Sequence, residues 1–256
     1  MLTHATAVGS RSYQEDRYFT AIHQDGLLFG VFDGHGGEGC STYLADHFFG
    51  SFFFHFDNPK INNARQAFRE TFAAMAKETH DMVDGSTASV VWIPNTEKEK
   101  GGLKCTKAIQ DTAIVAILGD SPVVIGTPRG FHLSPDHNAR SNDKECQAAV
   151  KRGARWDGDY LWNQHWGSRA HGLQMARAFG DVDLPFLRRV PQIYTRPIHD
   201  FVLIGTDGLF DPGHTLASRV PDIVTMVRVG HTAEQLVEIA VDLPTGDNVT
   251  AILWRK

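Results

Sequence analysis

The stretch LLFGVFDGHGG, residues 27–37, ends an apolar run in an aspartate, a histidine and three glycines. Leu27 to Phe32 is too short for a helix and rich in β-formers, so it reads as a buried strand. The chain must turn at Gly34, because glycine alone lets the backbone take positive φ or approach another group closely. Asp33 and His35 are then displayed at a strand end. One such pattern could be a tight turn with a solvated aspartate. A second copy, FVLIGTDGLFD at 201–211, again delivers an Asp-Gly pair from an apolar run and places Asp207, with Asp211 behind it, at the same kind of strand end.

Three more acidic sites fit this arrangement. GDNVTAILW at 246–254 puts Asp247 and Asn248 before a closing apolar strand, and AIVAILGDSPVVI at 113–125 sets Asp120 between two apolar segments. RSYQEDRYF at 11–19 carries Arg11, Glu15 and Asp16 into a strand-like stretch. Strands are expected near 3–8, 17–22, 27–32, 87–93, 112–118, 122–126, 201–206 and 248–254. Ala64, Phe68, Phe72 and Met75 recur at spacings of three and four, predicting a one-sided helix over 61–82. Thr232 and Gln235 form a capping box ahead of Leu236, Ile239, Ala240 and Leu243, a second helix of that kind. Residues 94–107, polar and glycine-bearing, read as a solvated hairpin loop. Many strands with helices outside the sheets define a layered α/β or α+β domain.

Composition narrows the possible functions. The chain has 256 residues, 42% of them hydrophobic, and no Pro/Gly/Ser-rich linker divides it, so a single domain over 1–256 is expected. A net charge of −5 without a basic block argues against nucleic acid or an anionic membrane as the partner. The N-terminus has no cationic start and apolar core of a leader, and no segment approaches 18 apolar residues, so a cytoplasmic location is expected. Cys40, Cys105 and Cys146 lack any C-x-x-C spacing, which suggests neither a disulfide framework nor a zinc site.

Taken in order, Arg11-x-x-x-Glu15-Asp16, DGHGG, GSTA at 85–88, GDS at 119–121, SPDHN at 134–138, ARAFGD at 176–181, TDGLFD at 206–211 and DN at 247–248 resemble the metal-dependent Ser/Thr protein phosphatases, the PPM or type 2C family. The resemblance implies an α+β fold, a four-layer αββα sandwich. It also implies two Mn²⁺ or Mg²⁺ ions, a bridging water activated by them for in-line attack on phosphorus, and phosphoserine or phosphothreonine protein substrates met by a monomer. The chemistry agrees, because phosphomonoester hydrolysis needs acceleration of up to roughly 10²¹-fold. Two hard cations about 3.5–4 Å apart can both create the nucleophile and neutralise phosphoryl charge.

By that resemblance Asp33 bridges both ions, Asp207 and Asp247 complete one, and the Gly34 carbonyl serves the other. Glu15 and Asp16 act through bound waters, Arg11 holds the phosphate, and His35 is the general acid. A third, weaker ion is implied among Asp120, Asp207 and Asp211; Asp120 could instead simply cap neighbouring N–H groups. Residues 134–178 correspond to the family's flap, whose Trp156, Tyr160, Trp162 and Trp166 either face substrate or pack onto the body. The chain departs from the family at Pro122, where arginine is usual, and in ARAFGD for SRALGD.

Rival readings are weaker. Cys146-x5-Arg152 has the spacing of a cysteine-dependent phosphatase, but the intervening QAAVK is helix-forming and glycine-free. DVDLP at 181–185 follows no apolar strand, GDSPV lacks the last glycine of a nucleophile elbow, and no Walker loop occurs. The other alternative is a pseudophosphatase, a binding module that keeps the fold without the metals, and the intact acidic set argues against it.

Overall fold

The apolar run at 27–32 forms the strand Gly26–Phe32, and every residue of it is buried. The structure, a computed structural model, describes residues 1–56, 61–95, 98–100, 103–105, 111–163, 172–211, 218–243 and 246–256. The strand lies inside a five-stranded antiparallel sheet ordered Gln192–Pro197, Thr112–Leu118, Ala88–Pro94, Gly26–Phe32 and Arg17–His23. A second antiparallel sheet runs Leu2–Ala7, Val249–Arg255, Phe201–Gly205, Val123–Thr127 and Gly130–Leu133.

Alternation along the strands assigns their side chains to two interfaces. Leu27, Phe29 and Val31 pack with Val115, Ile117, Val202, Ile204 and Ile252 between the sheets. Leu28 and Phe32 point the other way, into a cluster with Phe48 and Phe52 of helix α1 (Gly39–Phe54) and Phe68 and Phe72 of helix α2 (Ile61–Glu78). On the far side, Phe201 and Leu203 meet Val224 and Leu236 of the helices after them. Strands covered on both faces read as unbroken apolar runs, as here. The result is the expected α+β sandwich of four layers. Burying each of these aromatic and branched side chains contributes about 1.5–3 kcal/mol.

The eight expected strands are present, within about two residues at each end. Helix α2 stops at Glu78, short of the expected Met82, because the chain turns over Thr79–Met82. Periodicity did not point to α1. Its buried face is Cys40, Ser41, Leu44, Phe48 and Phe52, yet Phe49, Phe53 and Phe54 on the other sides are equally apolar, so no stripe stands out. In 94–107, Lys98–Lys100 and Leu103–Cys105 pair as an antiparallel hairpin; residues 96–97, 101–102 and 106–107 lie outside the described residues.

Between the second sheet and the Phe179–Gly180 strand lie helix α3 (Asp143–Lys151) and a ribbon of Ala154–Trp156 with Leu161–Asn163. They enclose a small cluster including Cys146, Ala149, Leu161 and Leu173, against which Trp156 packs. Trp162 donates its Nε1–H to Asp157 at 2.5 Å and lies beside Tyr160; Trp166 is outside the described residues. Cys146 sits within α3, and Arg152 caps the helix while donating to the Phe186 carbonyl, so the Cys-x5-Arg segment is no phosphate loop. Helices α4 (Asp207–Phe210), α5 (Val220–Arg228) and α6 (Ala233–Val241) precede the closing strand Val249–Arg255. The capping box of Thr232 and Gln235 is formed at the start of α6.

Candidate active site

Asp33 follows its strand directly and is fixed by its backbone. Its N–H donates to Thr87 Oγ1 at 3.2 Å and its carbonyl accepts the Thr87 N–H at 2.9 Å. Thr87 Oγ1 in turn lies 2.8 Å from Ser121 Oγ, so the GSTA and GDS motifs are neighbours beneath Asp33. A Cβ at Gly34 would stand 2.4 Å from the Glu15 carbonyl, which explains the glycine. Asp207 opens α4 at the end of the Phe201–Gly205 strand.

The N-terminal acids are brought in by side-chain contacts. Asp16 Oδ2 accepts from Thr206 Oγ1 at 3.1 Å and Thr250 Oγ1 at 2.7 Å. Glu15 Oε1 accepts the Gly37 N–H at 2.6 Å. Asn248, whose task the sequence did not reveal, staples this loop: its Oδ1 accepts the Glu15 N–H and its Nδ2 donates to the carbonyls of Val8 and Tyr13. Arg11 pairs with Asp247 at 2.9 Å and donates its Nε–H to the Gly246 carbonyl at 2.6 Å.

The aspartates crowd one another electrostatically. Burial holds Asp33 well above the usual carboxylate range, and Asp207, Asp16, Asp247 and Asp120 push it further in that order. Burial also pushes Asp16 up to about 7, against the hydrogen bonds of Thr250 and Thr206, with Asp207 and Asp247 adding to the rise. Asp120 is likewise raised to about 7 by burial and then by Asp207 and Asp136. Like charges so placed repel unless protons or cations intervene.

Asp120, Asp136, Asp207 and Asp211 line one cavity of about 210 Å³, with Pro122, Leu133 and Phe210. Asp120 Oδ2 accepts from Asn138, while its Oδ1 is buried without a hydrogen-bond partner. Asp136 belongs to the SPDHN motif, but no apolar run leads into it, so the sequence did not mark it as a site acid. Among the described residues no three acidic, imidazole or thiol side chains are gathered tightly enough to grip one ion; Arg11 occupies Asp247, and the two threonines occupy Asp16. The donor set is nevertheless oxygen-only and anionic, with an orphaned buried carboxylate oxygen, which fits hard divalent cations.

His35 follows Asp33 by two residues. It lies in the short strand Gly34–His35, paired with Gly85–Ser86, which pairs with Phe179–Gly180. That three-stranded patch carries Asp181 to His35, with Oδ2 2.8 Å from Nε2. Asp181 is fully buried and holds φ at +52°, a conformation costly for a residue other than glycine. A Cβ at Gly85 would lie 2.1 Å from Asp181 Oδ2 and 2.3 Å from His35 Nε2, so only glycine leaves room for the pair. His35 Nδ1 is buried and has no partner.

Residues 16–249 match the family model for protein phosphatase 2C. Probable protein phosphatase 2C 69 of Arabidopsis thaliana is 29% identical over 268 residues, covering 98% of this chain and 69% of its own length. Probable protein phosphatase 2C 52 of Oryza sativa subsp. japonica is 31% identical over 240 residues, 88% of this chain and 43% of its own. The solved serine-threonine phosphatase 2C of Toxoplasma gondii superposes over 100% of this chain and 94% of its own with a TM-score of 0.75 at 20% identity, a likeness of fold. The chain belongs to the protein phosphatase 2C family, and so to a class of hydrolases whose substrates are phosphoproteins. It spans only part of these two curated relatives, less than half of the rice protein.

Proposed function

We propose that this chain hydrolyses phosphoserine and phosphothreonine esters on proteins, as one catalytic unit over 1–256, with two Mn²⁺ or Mg²⁺ ions. What carries the reading is the set of aspartates around Asp33, where burial and then neighbouring carboxylates raise Asp33, Asp16 and Asp120, in a chain of the phosphatase 2C family. Asp33, Asp207, Asp247 and the Gly34 carbonyl would hold the pair, with Glu15 and Asp16 contributing through water. Bound there, such ions supply Lewis acidity and the positive charge that phosphoryl transfer requires.

The chain's own groups do the rest. Arg11, about one third exposed, offers a planar fork to phosphoryl oxygens beside Asp247. His35, held at Nε2 by Asp181, is the group that would protonate the departing serine or threonine oxygen. The intact carboxylates favour catalysis over a pseudophosphatase role. The net charge of −5 supports a protein substrate over nucleic acid or a membrane surface, and we place the chain in the cytoplasm as a monomer. Among the described residues no helix is long and apolar enough to cross a membrane.

The deciding experiment is hydrolysis of a phosphothreonine peptide with and without Mn²⁺. Activity should appear with metal and vanish with EDTA, and turnover surviving exhaustive chelation would sink the reading. A finer test concerns the third ion at Asp120, Asp207 and Asp211. Asp120→Ala should keep full turnover attainable but raise the Mn²⁺ concentration needed for it by about tenfold, since only the weakly held ion loses a ligand. A variant that melts earlier yet shows the wild-type metal curve would make Asp120 purely structural.

A further inference from the structure

A second cavity, of about 480 Å³, opens between helix α2 and residues 188–193, and four arginines line it: Arg69, Arg177, Arg188 and Arg189. None of its described lining residues is acidic. In a chain with net charge −5 this is a local reversal of sign.

The four guanidinium groups differ in how far they are engaged. Arg177 is the fixed wall, forked onto Glu145 with its Nε–H 3.0 Å from Oε2 and its Nη1 donating to the Val190 carbonyl at 3.1 Å. Arg189 donates from Nη2 to the carbonyls of Gly180 and Asp181, but its Nε–H is buried with no acceptor. Among the described residues Arg69 reaches only Gln66, at 3.2 Å, and no carboxylate pairs with it or with Arg188. Both are exposed. Burial draws the Arg189 guanidinium below its ordinary pKa, the carboxylate of Asp181 offsetting this only in part. An unsatisfied buried donor on a cation is costly, and an anion would relieve it.

Guanidinium forks arriving from two elements suit a phosphoryl group, which offers three acceptor oxygens and nearly two charges. We propose that this cavity binds a second phosphoryl group of the same phosphoprotein, so that multiply phosphorylated segments are the preferred substrates. The inference rests on the phosphatase reading above. The site is separate from the aspartate cavity, yet the two meet at one segment. Arg189 holds the backbone of Asp181, and Asp181 holds His35. A substrate anchored at the arginines therefore lies along the loop that positions the acid.

The test uses the Arg69→Ala/Arg188→Ala double variant of the whole chain, both residues being exposed and outside the catalytic groups. Substrates are phosphothreonine peptides of one length, singly phosphorylated or carrying a second phosphothreonine at a series of spacings. Losing two charge-assisted contacts should raise KM for the doubly phosphorylated peptide by about tenfold at one or more spacings, with KM for the singly phosphorylated peptide and for p-nitrophenyl phosphate unchanged. Equal losses on singly and doubly phosphorylated peptides, or no loss at any spacing, would overturn the proposal. Anisotropy of the labelled doubly phosphorylated peptide on EDTA-treated protein separates this inference from the catalytic one. Binding there should weaken by about tenfold in the variant even if no hydrolysis were ever detected, and unchanged binding would refute the pocket alone.

Discussion

Asp33→Asn should lower turnover of a phosphothreonine peptide by at least about 10³-fold, because it removes a negative charge from the centre of the proposed metal pair. The same substitution should make the EDTA-treated protein melt at a higher temperature than wild type. The Asp33 carboxyl is half-buried, and Asp207, Asp16, Asp247 and Asp120 all press on it electrostatically. Whether the folded chain carries it charged under repulsion or protonated at neutral pH, folding bears a cost that an amide avoids. Its backbone bonds to Thr87 do not depend on the side chain, so the strand end should be undisturbed. Added Mn²⁺ should then stabilise wild type more than the variant, read as the shift in melting temperature and as calorimetric metal uptake. If the variant loses activity but takes up metal like wild type, Asp33 acts on catalysis without being a ligand.

These opposed effects on activity and stability come from a site that much of the sequence announces. An aspartate delivered by a buried strand is legible because the apolar run and the glycine after it are local signals, and Asp33 and Asp207 carry both. Asp120, Asp247 and Asp16 adjoin strands as well. What stayed hidden depends on groups that meet only in three dimensions. Asp181 lies 146 residues from His35 and follows a two-residue strand too short to show in any period. The arginine cavity gathers Arg69, from a helix face that reads as ordinary solvated surface, with residues from a segment more than a hundred positions later. Asn248 was visible beside Asp247, but its bonds to Val8, Tyr13 and Glu15 join the two ends of the chain, which no local pattern encodes. Helix α1 was obscured by an excess of the usual signal, since phenylalanines on every side leave no apolar stripe to detect.

His35→Gln should slow hydrolysis of a phosphoserine peptide by roughly 10²- to 10⁴-fold, with far less effect on p-nitrophenyl phosphate, whose phenolate departs without a proton. If Asp181 works through His35, Asp181→Asn should reproduce that selectivity at a smaller size, about 10- to 100-fold on the peptide, because the imidazole remains but its partner loses the negative charge that fixes its tautomer and orientation. Asparagine preserves the volume of a fully buried site and tolerates positive φ, so the left-handed turn at 181 should survive. The decisive measurement is the double variant. Two independent contributions would multiply, whereas a positioning residue has nothing left to position once His35 is glutamine, so the peptide rate should match that of His35→Gln alone. Comparable losses on both substrates for Asp181→Asn would instead mean that the substitution disturbs phosphate or metal binding. Multiplying losses on the peptide would show that Asp181 acts on something other than the imidazole it touches.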